Sequence, residues 1–190
     1  MSSLVINSKI WGEMFGTREM SDIFSDKKTI QYYLEVEAAL ARVQSRLGII
    51  PKTCGLEISK VAKTDWIDWK LLEKRTSIVG YPILPLVEQL SFKVKKNLGQ
   101  YCHWGATTQD IMDTADVLQI RDALSILSSD LVGIKKALKK LVKKYINTPM
   151  SGRTHLQHAL PTSFGYKCST WLSGIERHID RITQIKERLF

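Results

Sequence analysis

The longest amphipathic segment of this chain is residues 107–146, TTQDIMDTADVLQIRDALSILSSDLVGIKKALKKLVKKYI. Its apolar residues recur at alternating steps of three and four, which places them on one stripe of an α-helix suited to packing against other long helices. The stripe consists of Val117, Ile120, Leu124, Leu127, Leu131, Ile134, Leu138, Leu141 and Tyr145. A helix of this length is roughly 55 Å long, so the segment predicts a helical bundle.

Further helices are predicted before this segment. Residues 26–47 favour a helix with Ser25 or Asp26 as its N-cap and Gly48 just after its end. Its expected buried stripe is Tyr33, Val36, Leu40, Val43 and Leu47. Residues 56–79 indicate one or two shorter helices, with Asp65 as a cap before Trp66. Pro85 suits the first turn of another helix, which carries Leu86, Leu90 and Val94 and which Gly99 is expected to end.

After the long segment we expect a loop from about Asn147 and a third long helix from about Pro161. The apolar stripe of that helix is Phe164, Cys168, Trp171, Ile175, Ile182, Ile185 and Leu189, with His178 in the remaining position. No stretch alternates in the manner of a strand, so the predicted fold class is all-α. We expect an N-terminal helical domain, residues 1–106, followed by long antiparallel helices of an incomplete bundle, residues 107–190. Because the last stripe is still in phase at Leu189, the chain is expected to be cut short.

Composition narrows the class of protein. The 190 residues include 44% hydrophobic residues, enough for a core, but no apolar run long enough to span a membrane. The start has no secretory signal pattern, and Cys54, Cys102 and Cys168 have no metal-ligand spacing. Reduced thiols in a cytoplasmic protein are therefore expected.

The net charge of +9 comes largely from the lysines of residues 135–144, KKALKKLVKK. A solvated helix face is the favoured interpretation. Nucleic-acid binding is less favoured because no recognised motif or interleaved aromatic set accompanies the lysines. Steering of a polyanionic substrate is a third possibility.

Two polar loops carry the residues suited to chemistry. In the first, YCHWGATTQDIMD at 101–113, Gly105 permits a tight turn and Thr107 or Thr108 can cap the long helix. The N–H groups of such a helix start can bind an anion, and His103 adds a titratable group beside them. The alternative is an ordinary capped helix with a packed histidine and tryptophan.

In the second loop, GRTHLQHALP at 152–161, Arg153 offers a planar fork for a carboxylate or phosphate, and His155 is a candidate general acid or base. Thr154 and Gln157 are further polar contacts. The alternative is a polar hairpin between two helices in which His158 only packs. No third ligand accompanies the two histidines, so no metal site is predicted.

Together the two loops resemble a known family. HWGATTQDIMDTA, followed by GRTHLQHALPTSFG, resembles the first and second signature regions of the fumarase/aspartase superfamily. The similarity is strongest to the branch containing 3-carboxy-cis,cis-muconate cycloisomerase and adenylosuccinate lyase. MFGTREMSDIFSD and YPILPLVEQL resemble that branch as well. HWGAT and LQHALP favour the cycloisomerase, whereas Leu160 stands where adenylosuccinate lyases more often have an acidic residue.

The resemblance implies proton abstraction α to a carboxylate of a polycarboxylate, followed by β-elimination or by lactone opening or closing. It implies no cofactor. His155 matches the general-acid histidine of the second region, and His103 matches the histidine of the first. The residues expected to hold substrate carboxylates and orient the histidines are Thr107, Thr108, Gln109, Asp110, Arg153, Thr154 and Gln157. The family's third signature loop, which supplies the general base, is absent from this sequence, so the chain alone is expected to lack a complete site and to be inactive.

Helix length adds an argument that is independent of the resemblance. The predicted rod separates His103 from His155 by roughly 50 Å, so one molecule cannot bring both to the same site. A homo-oligomer would then complete each site, in agreement with the family's tetramers. The alternatives are a non-catalytic helical assembly and a basic nucleic-acid binder.

Overall fold

The computed structural model of the chain describes Val5, Ser8 and residues 10–190. The predicted all-α fold is confirmed. The helices and strands are α1 Arg18–Ile23, α2 Asp26–Leu47, α3 Cys54–Val61, α4 Trp69–Val79, α5 Ile83–Lys93, α6 Thr108–Lys144, β1 Pro149–Thr154, β2 Gln157–Ser163 and α7 Phe164–Leu189. The chain divides into two compact units, Met1–Ile120 and Arg121–Phe190. The domain boundary expected at 106/107 stays a prediction.

The predicted ends of α2 are confirmed. Ser25 is the N-cap, and its hydroxyl oxygen accepts a hydrogen bond from the Lys28 N–H at 3.3 Å. At the other end Gly48 adopts a left-handed conformation with φ 74°, and its N–H donates to the carbonyls of Gln44 and Ser45. Both ends therefore satisfy backbone groups that a helix otherwise leaves unpaired.

The cap predicts a stability effect. We expect Ser25→Ala to lower the free energy of unfolding by about 0.5–2 kcal/mol, because an N–H of the first turn loses its acceptor. Thr53 is the matched control, since it is the N-cap of α3 but makes no side-chain cap hydrogen bond. Thr53→Ala should change the free energy by less than about 0.5 kcal/mol. Urea unfolding of both variants measures the difference, and an equal cost for the two would contradict the assigned role of Ser25.

The predicted buried stripe of α2 is partly wrong. Val43 and Leu47 are 43% and 65% exposed, whereas the face that packs inward carries Leu34, Ala38 and Ala41. Small residues line this face because α3 approaches closely. A Cβ on Gly55 of α3 would lie 2.8 Å from the Cα of Arg42. The prediction followed the large apolar residues and therefore placed the buried face on the wrong side of the last two turns of α2.

Residues 56–79 contain parts of two shorter helices, as predicted, but their cap was assigned wrongly. Asp65 lies in a short 3₁₀ turn, Thr64–Trp66. The N-cap of α4 is Asp68, whose Oδ1 accepts a hydrogen bond from the Leu71 N–H at 3.0 Å. The carboxylate that caps is thus the one directly before the helix.

Helix α5 confirms the position of Pro85 in its first turn and the burial of Leu86, Leu90 and Val94. Its predicted end at Gly99 is wrong. The helix stops at Lys93 because Val94 is already extended, with φ −71° and ψ 128°. Residues 94–107 therefore form a connection that leads from the core of the first unit to the start of α6.

That core is a single apolar cluster to which α2, α3, α5 and the first turns of α6 contribute. Leu34, Ile58, Leu86, Leu90 and Ile111 are each at most 1% exposed. The start of α6 therefore packs into the same hydrophobic core as α2. The connection between α5 and α6 is thus tied at both ends to well-packed helices.

Helix α6 is continuous from Thr108 to Lys144, as predicted. In the second unit α6 and α7 run antiparallel. Glu176 of α7 forms ion pairs with two lysines of α6. Its Oε1 lies 3.1 Å from Nζ of Lys135 and 3.6 Å from Nζ of Lys139. Hydrogen bonding from Lys135 lowers the pKa of the Glu176 carboxyl. Parts of the predicted α6 stripe stay uncovered in one chain, since Leu127 and Ile134 are 43% and 45% exposed.

The expected loop and the helix start at Pro161 are wrong. Residues 149–163 form an antiparallel two-stranded hairpin, and α7 begins only at Phe164, with Ser163 as its N-cap. Backbone pairing holds the hairpin rather than an apolar face, so its sequence shows no strand alternation. Gly152 permits the pairing because a Cβ there would lie 2.7 Å from the Leu160 carbonyl oxygen.

Two further observations concern the whole described chain. Cys54, Cys102 and Cys168 are free and buried. Within residues 10–190 and the two described residues before them, no helix is both long enough and apolar enough to cross a membrane.

Candidate functional site

The connection between α5 and α6 adopts backbone conformations that only special positions tolerate. Asn97, His103 and Gly105 have φ values of 55°, 57° and 70°. The tight turn expected at Gly105 is confirmed. A left-handed histidine is uncommon and costs on the order of 1 kcal/mol, so contacts elsewhere must hold His103 in place.

Glu37 of α2 supplies those contacts. Its Oε1 lies 2.5 Å from Nδ1 of His103, and its Oε2 accepts the backbone N–H of the same residue at 3.1 Å. One carboxylate thus holds both the ring and the main chain of His103. The His103 side chain keeps 21% of its surface exposed, whereas the Glu37 side chain keeps 1%.

Burial dominates the electrostatics of this pair. It raises the pKa of the Glu37 carboxyl, while the hydrogen bonds and charge of His103 oppose that rise. Burial also raises the pKa of the neighbouring Cys102 thiol to about 11, with smaller contributions from Glu37 and Cys54. Cys102 is therefore a neutral packing residue and not a nucleophile.

A second polar side chain of α2 holds the same loop. Gln44 Nε2 donates to the Trp104 carbonyl oxygen at 2.7 Å. Glu37 and Gln44 are seven residues apart, two helical turns, and so lie on the same side of α2. The ring of Trp104 also contacts that of Tyr101, with centroids 5.6 Å apart. Residues 103 and 104 are therefore fixed by one rigid helix.

At the start of α6 several predicted ligands make local contacts. The Thr107 N–H donates to Asp110 Oδ2 at 2.9 Å, and the Asp110 N–H donates to the Thr107 carbonyl at 3.1 Å. This is a capping arrangement that occupies the Asp110 carboxylate. Gln109 is hydrogen-bonded to Asp113. The side chain of Thr107 is exposed and that of Thr108 half-buried, beside the N–H groups of the first turn.

In the second unit the hairpin gathers the remaining predicted residues at its tip. Thr154 pairs with Gln157, and His155 and Leu156 between them have φ values of 43° and 66°. This is the geometry of a type I′ turn, which usually uses Asn and Gly. His155 and Leu156 are both exposed, as are Arg153, Thr154 and Gln157. His158 does not simply pack, since its Nδ1 lies 2.8 Å from the Ser151 hydroxyl.

The predicted residues therefore fall into two groups, each assembled locally. His103, Thr107, Thr108, Gln109 and Asp110 lie on the loop before α6 and on its first turn, and the other four form the hairpin tip after it. Whether they bind substrate stays a prediction. Among the described residues, no group of three or more histidine, cysteine, aspartate or glutamate side chains could hold a metal ion.

Sequence reasoning missed Glu37. The available indication was its position in LEVEAALA, four residues after Tyr33 and four before Ala41, on the face that packs inward. A glutamate on a buried helix face is rare unless it is paired. Such a residue therefore marks a specific partner, which is His103.

A bundle built around one very long helix, with a histidine-bearing polar loop before it and another after it, is the architecture of the fumarase/aspartase class of lyases. Comparison with protein families agrees. The model of the family described as Lyase matches residues 14–190. The chain belongs to this lyase family, within the fumarase/aspartase superfamily.

Two curated relatives and one solved structure are also similar to this chain. Trans-aconitate decarboxylase 1 of Mycosarcoma maydis is 44% identical over 178 residues, which are 94% of this chain and 36% of that protein. Adenylosuccinate lyase of Pyrococcus abyssi is 41% identical over 175 residues, 92% of this chain and 39% of that protein.

The crystal structure of beta-carboxy-cis,cis-muconate cycloisomerase from Acinetobacter calcoaceticus sp. ADP1 superposes with a TM-score of 0.92 at 38% identity. The superposition covers 95% of this chain and 43% of the cycloisomerase chain. The chain thus spans about two fifths of the length of the proteins it resembles.

Proposed function

We propose that this chain is the N-terminal portion of a cytoplasmic lyase or cycloisomerase that acts on a small polycarboxylate. The observation that carries the proposal is the family match over residues 14–190, which includes both histidine-bearing loops. The substrates named for the three relatives, an aconitate, an adenylosuccinate and a carboxymuconate, all carry several carboxylates. A substrate of that chemistry suits the +9 charge of the chain.

The proposed reaction breaks a C–H bond and the bond to the β-substituent, forms a carbon–carbon double bond, and transfers one proton to a base and one proton from an acid. A base removes the proton α to a carboxylate, and the electron pair passes into that carboxylate as an aci-carboxylate. The pair then returns to form the double bond as the β-substituent leaves, and an acid protonates the departing atom. In a cycloisomerase the departing atom is the lactone oxygen, so the same steps open or close a ring. A histidine is suited to the acid step near neutral pH.

The roles proposed for this chain follow from its loops. His155, exposed at the tip of the hairpin, is the proposed general acid, and Arg153 beside it offers a bidentate contact to a carboxylate. Thr107 and Thr108 stand at the start of α6, where N–H groups and the helix dipole favour an anion. His103 faces the same anion from the preceding loop. The general base belongs to a part of the whole protein outside these residues.

Each site is proposed to draw on more than one chain. Helix α6 is continuous over 37 residues, and a helix of that length is about 55 Å long. A loop before it and a hairpin after it then serve one substrate only if they come from different molecules. We therefore propose a homo-oligomer in which neighbouring copies complete each site.

Cycloisomerase-like chemistry is the first choice. It is supported by the HWGAT and LQHALP motifs and by Leu160, which is exposed on β2 where an adenylosuccinate lyase more often carries an acid. Adenylosuccinate-type cleavage of a C–N bond with release of fumarate is the alternative, supported by the relative from Pyrococcus abyssi.

The test is turnover by the full-length gene product that contains this chain. Purified protein is given 3-carboxymuconate and its lactone, and separately adenylosuccinate, and absorbance follows lactone formation or fumarate release. Turnover of the muconate pair supports the first choice, and turnover of adenylosuccinate supports the alternative. Failure to turn over these substrates and related succinyl adducts, by protein shown to be folded and oligomeric, would contradict the proposal.

A further inference from the structure

The contact between Glu37 and His103 reaches across 66 positions of sequence, from the middle of α2 to the loop before α6. Glu37 is 2% exposed, and Nδ1 of His103 and the backbone N–H of His103 both point at its carboxylate. Burying a carboxylate is costly unless it is paired. This glutamate is paired with both the side chain and the main chain of a single residue, His103, whose side chain keeps 21% of its surface exposed.

We propose that Glu37 is a positioning residue that keeps the His103 imidazole in the tautomer protonated at Nδ1, so that Nε2 faces the substrate. This inference rests on the proposed function, because it assigns a role within the same site. Its physical basis is a carboxylate–imidazole pair, which fixes both the tautomer and the orientation of a ring.

The location of the proton follows from basicity. Imidazole is ordinarily more basic than a carboxylate, so a proton shared between them resides on Nδ1. The raised pKa of Glu37 reflects its burial, and the two N–H donors of His103 counter that effect. Burial raises the pKa of the Cys102 thiol to about 11 and also raises the pKa of the Cys54 thiol, so neither adds a charge beside this pair.

Protonation at Nδ1 determines what Nε2 can do. In the neutral ring Nε2 carries a lone pair, and in the imidazolium it carries a proton. His103 can therefore accept or release one proton at Nε2 while the Nδ1–H bond to Glu37 stays intact. The left-handed backbone of His103, at φ 57°, is held by the second oxygen of the same carboxylate.

The tautomer can be read directly in the 190-residue chain. It contains four histidines, so a spectrum of histidine-selective ¹⁵N-labelled protein shows four rings, which single substitutions assign. At a pH where the ring is neutral, we expect His103 to carry its proton on Nδ1. A His103 ring protonated at Nε2 in the unsubstituted chain would overturn the inference without any variant.

Substitution supplies the second measurement. Glu37→Gln should change the ring signals of His103 and leave those of His155, His158 and His178 unchanged. Glu35→Gln is the matched control, because Glu35 lies exposed on the same helix, where its Oε1 accepts a hydrogen bond from Gln31 Nε2 at 3.2 Å. Glu35→Gln should leave all four rings unchanged.

In the full-length enzyme Glu37→Gln should lower kcat by about tenfold to a hundredfold with KM little changed, because the ring is misoriented rather than lost. Unchanged kcat in Glu37→Gln, with activity lost in His103→Ala, would overturn the role of Glu37 and leave the proposed function standing. Unchanged activity in His103→Ala, with the Nδ1–H signature present, would instead remove His103 from the proposed site.

Discussion

In the full-length protein, His155→Ala is expected to lower kcat by about two to four orders of magnitude, the usual contribution of a general acid. The side chain stands exposed at the tip of the hairpin, where φ is 43°. Strained backbone at an exposed loop tip is typical of functional positions. The substitution removes the proposed proton donor from an exposed position.

His178→Ala is the matched control for this experiment. His178 is exposed on α7 and lies 3.3 Å from Nη1 of Arg181 on the same helix. Its loss should leave kcat within about twofold, as expected for a surface substitution. Steady-state assays of both variants, with circular dichroism as a check on folding, measure the difference. Equal activity of the two variants would contradict the role assigned to His155.

The second large effect concerns stability. Gly99→Ala should lower the free energy of unfolding by about 3 kcal/mol, because overpacking against backbone forces the chain to shift. A Cβ at position 99 would lie 2.0 Å from the carbonyl oxygen of Ser91 on α5. Gly99 lies four residues before His103, and its carbonyl accepts the Cys102 N–H at 3.0 Å. The same change should therefore lower kcat in the full-length protein as well.

Gly133→Ala provides a control with the opposite sign. Gly133 lies within α6, and apart from its chain neighbours and the adjacent backbone of its own helix no atom lies within 4 Å of the Cβ that alanine would add. Alanine is the better helix former there, so the free energy of unfolding should rise by about 0.5–1 kcal/mol. Thermal and urea unfolding measure the change in the free energy of unfolding for both variants. A Gly99→Ala variant as stable as the unsubstituted chain would contradict the close approach at Gly99.

The fold was largely predictable because local rules agree with the tertiary structure. Ser25 and Gly48 mark the ends of α2, and the spacing of apolar residues from 117 to 145 indicates α6 without reference to any partner. Such patterns depend on the 3.6-residue period and on unpaired backbone groups, both of which can be read locally.

Two of the errors share a different origin, since both depend on the approach of another segment of backbone. The inward face of α2 is lined by Ala38 and Ala41 because α3 packs closely at Gly55. The hairpin at 149–163 depends on pairing across Gly152 rather than on alternation of apolar residues. Neither contact leaves a periodic pattern in the sequence.

The candidate site likewise contains residues that the sequence predicted and residues that only the fold reveals. Its histidines and hydroxyls were found by motif, because they lie on contiguous loops. Glu37 was not found, because its partner His103 is 66 positions away and only the fold brings the two together. The capping role of Asp110 also required coordinates, since a carboxylate in a first turn can serve either a ligand or the helix itself.

The central claim is that His103 and His155 reach a common site from different molecules. Co-expression of full-length His103→Ala and His155→Ala chains tests it most directly. Each variant alone should be nearly inactive, whereas randomly mixed oligomers should recover about a quarter of the wild-type activity, because half of the chains supply each natural histidine. No recovery in mixed oligomers whose composition has been verified would place both histidines on one chain and contradict the claim.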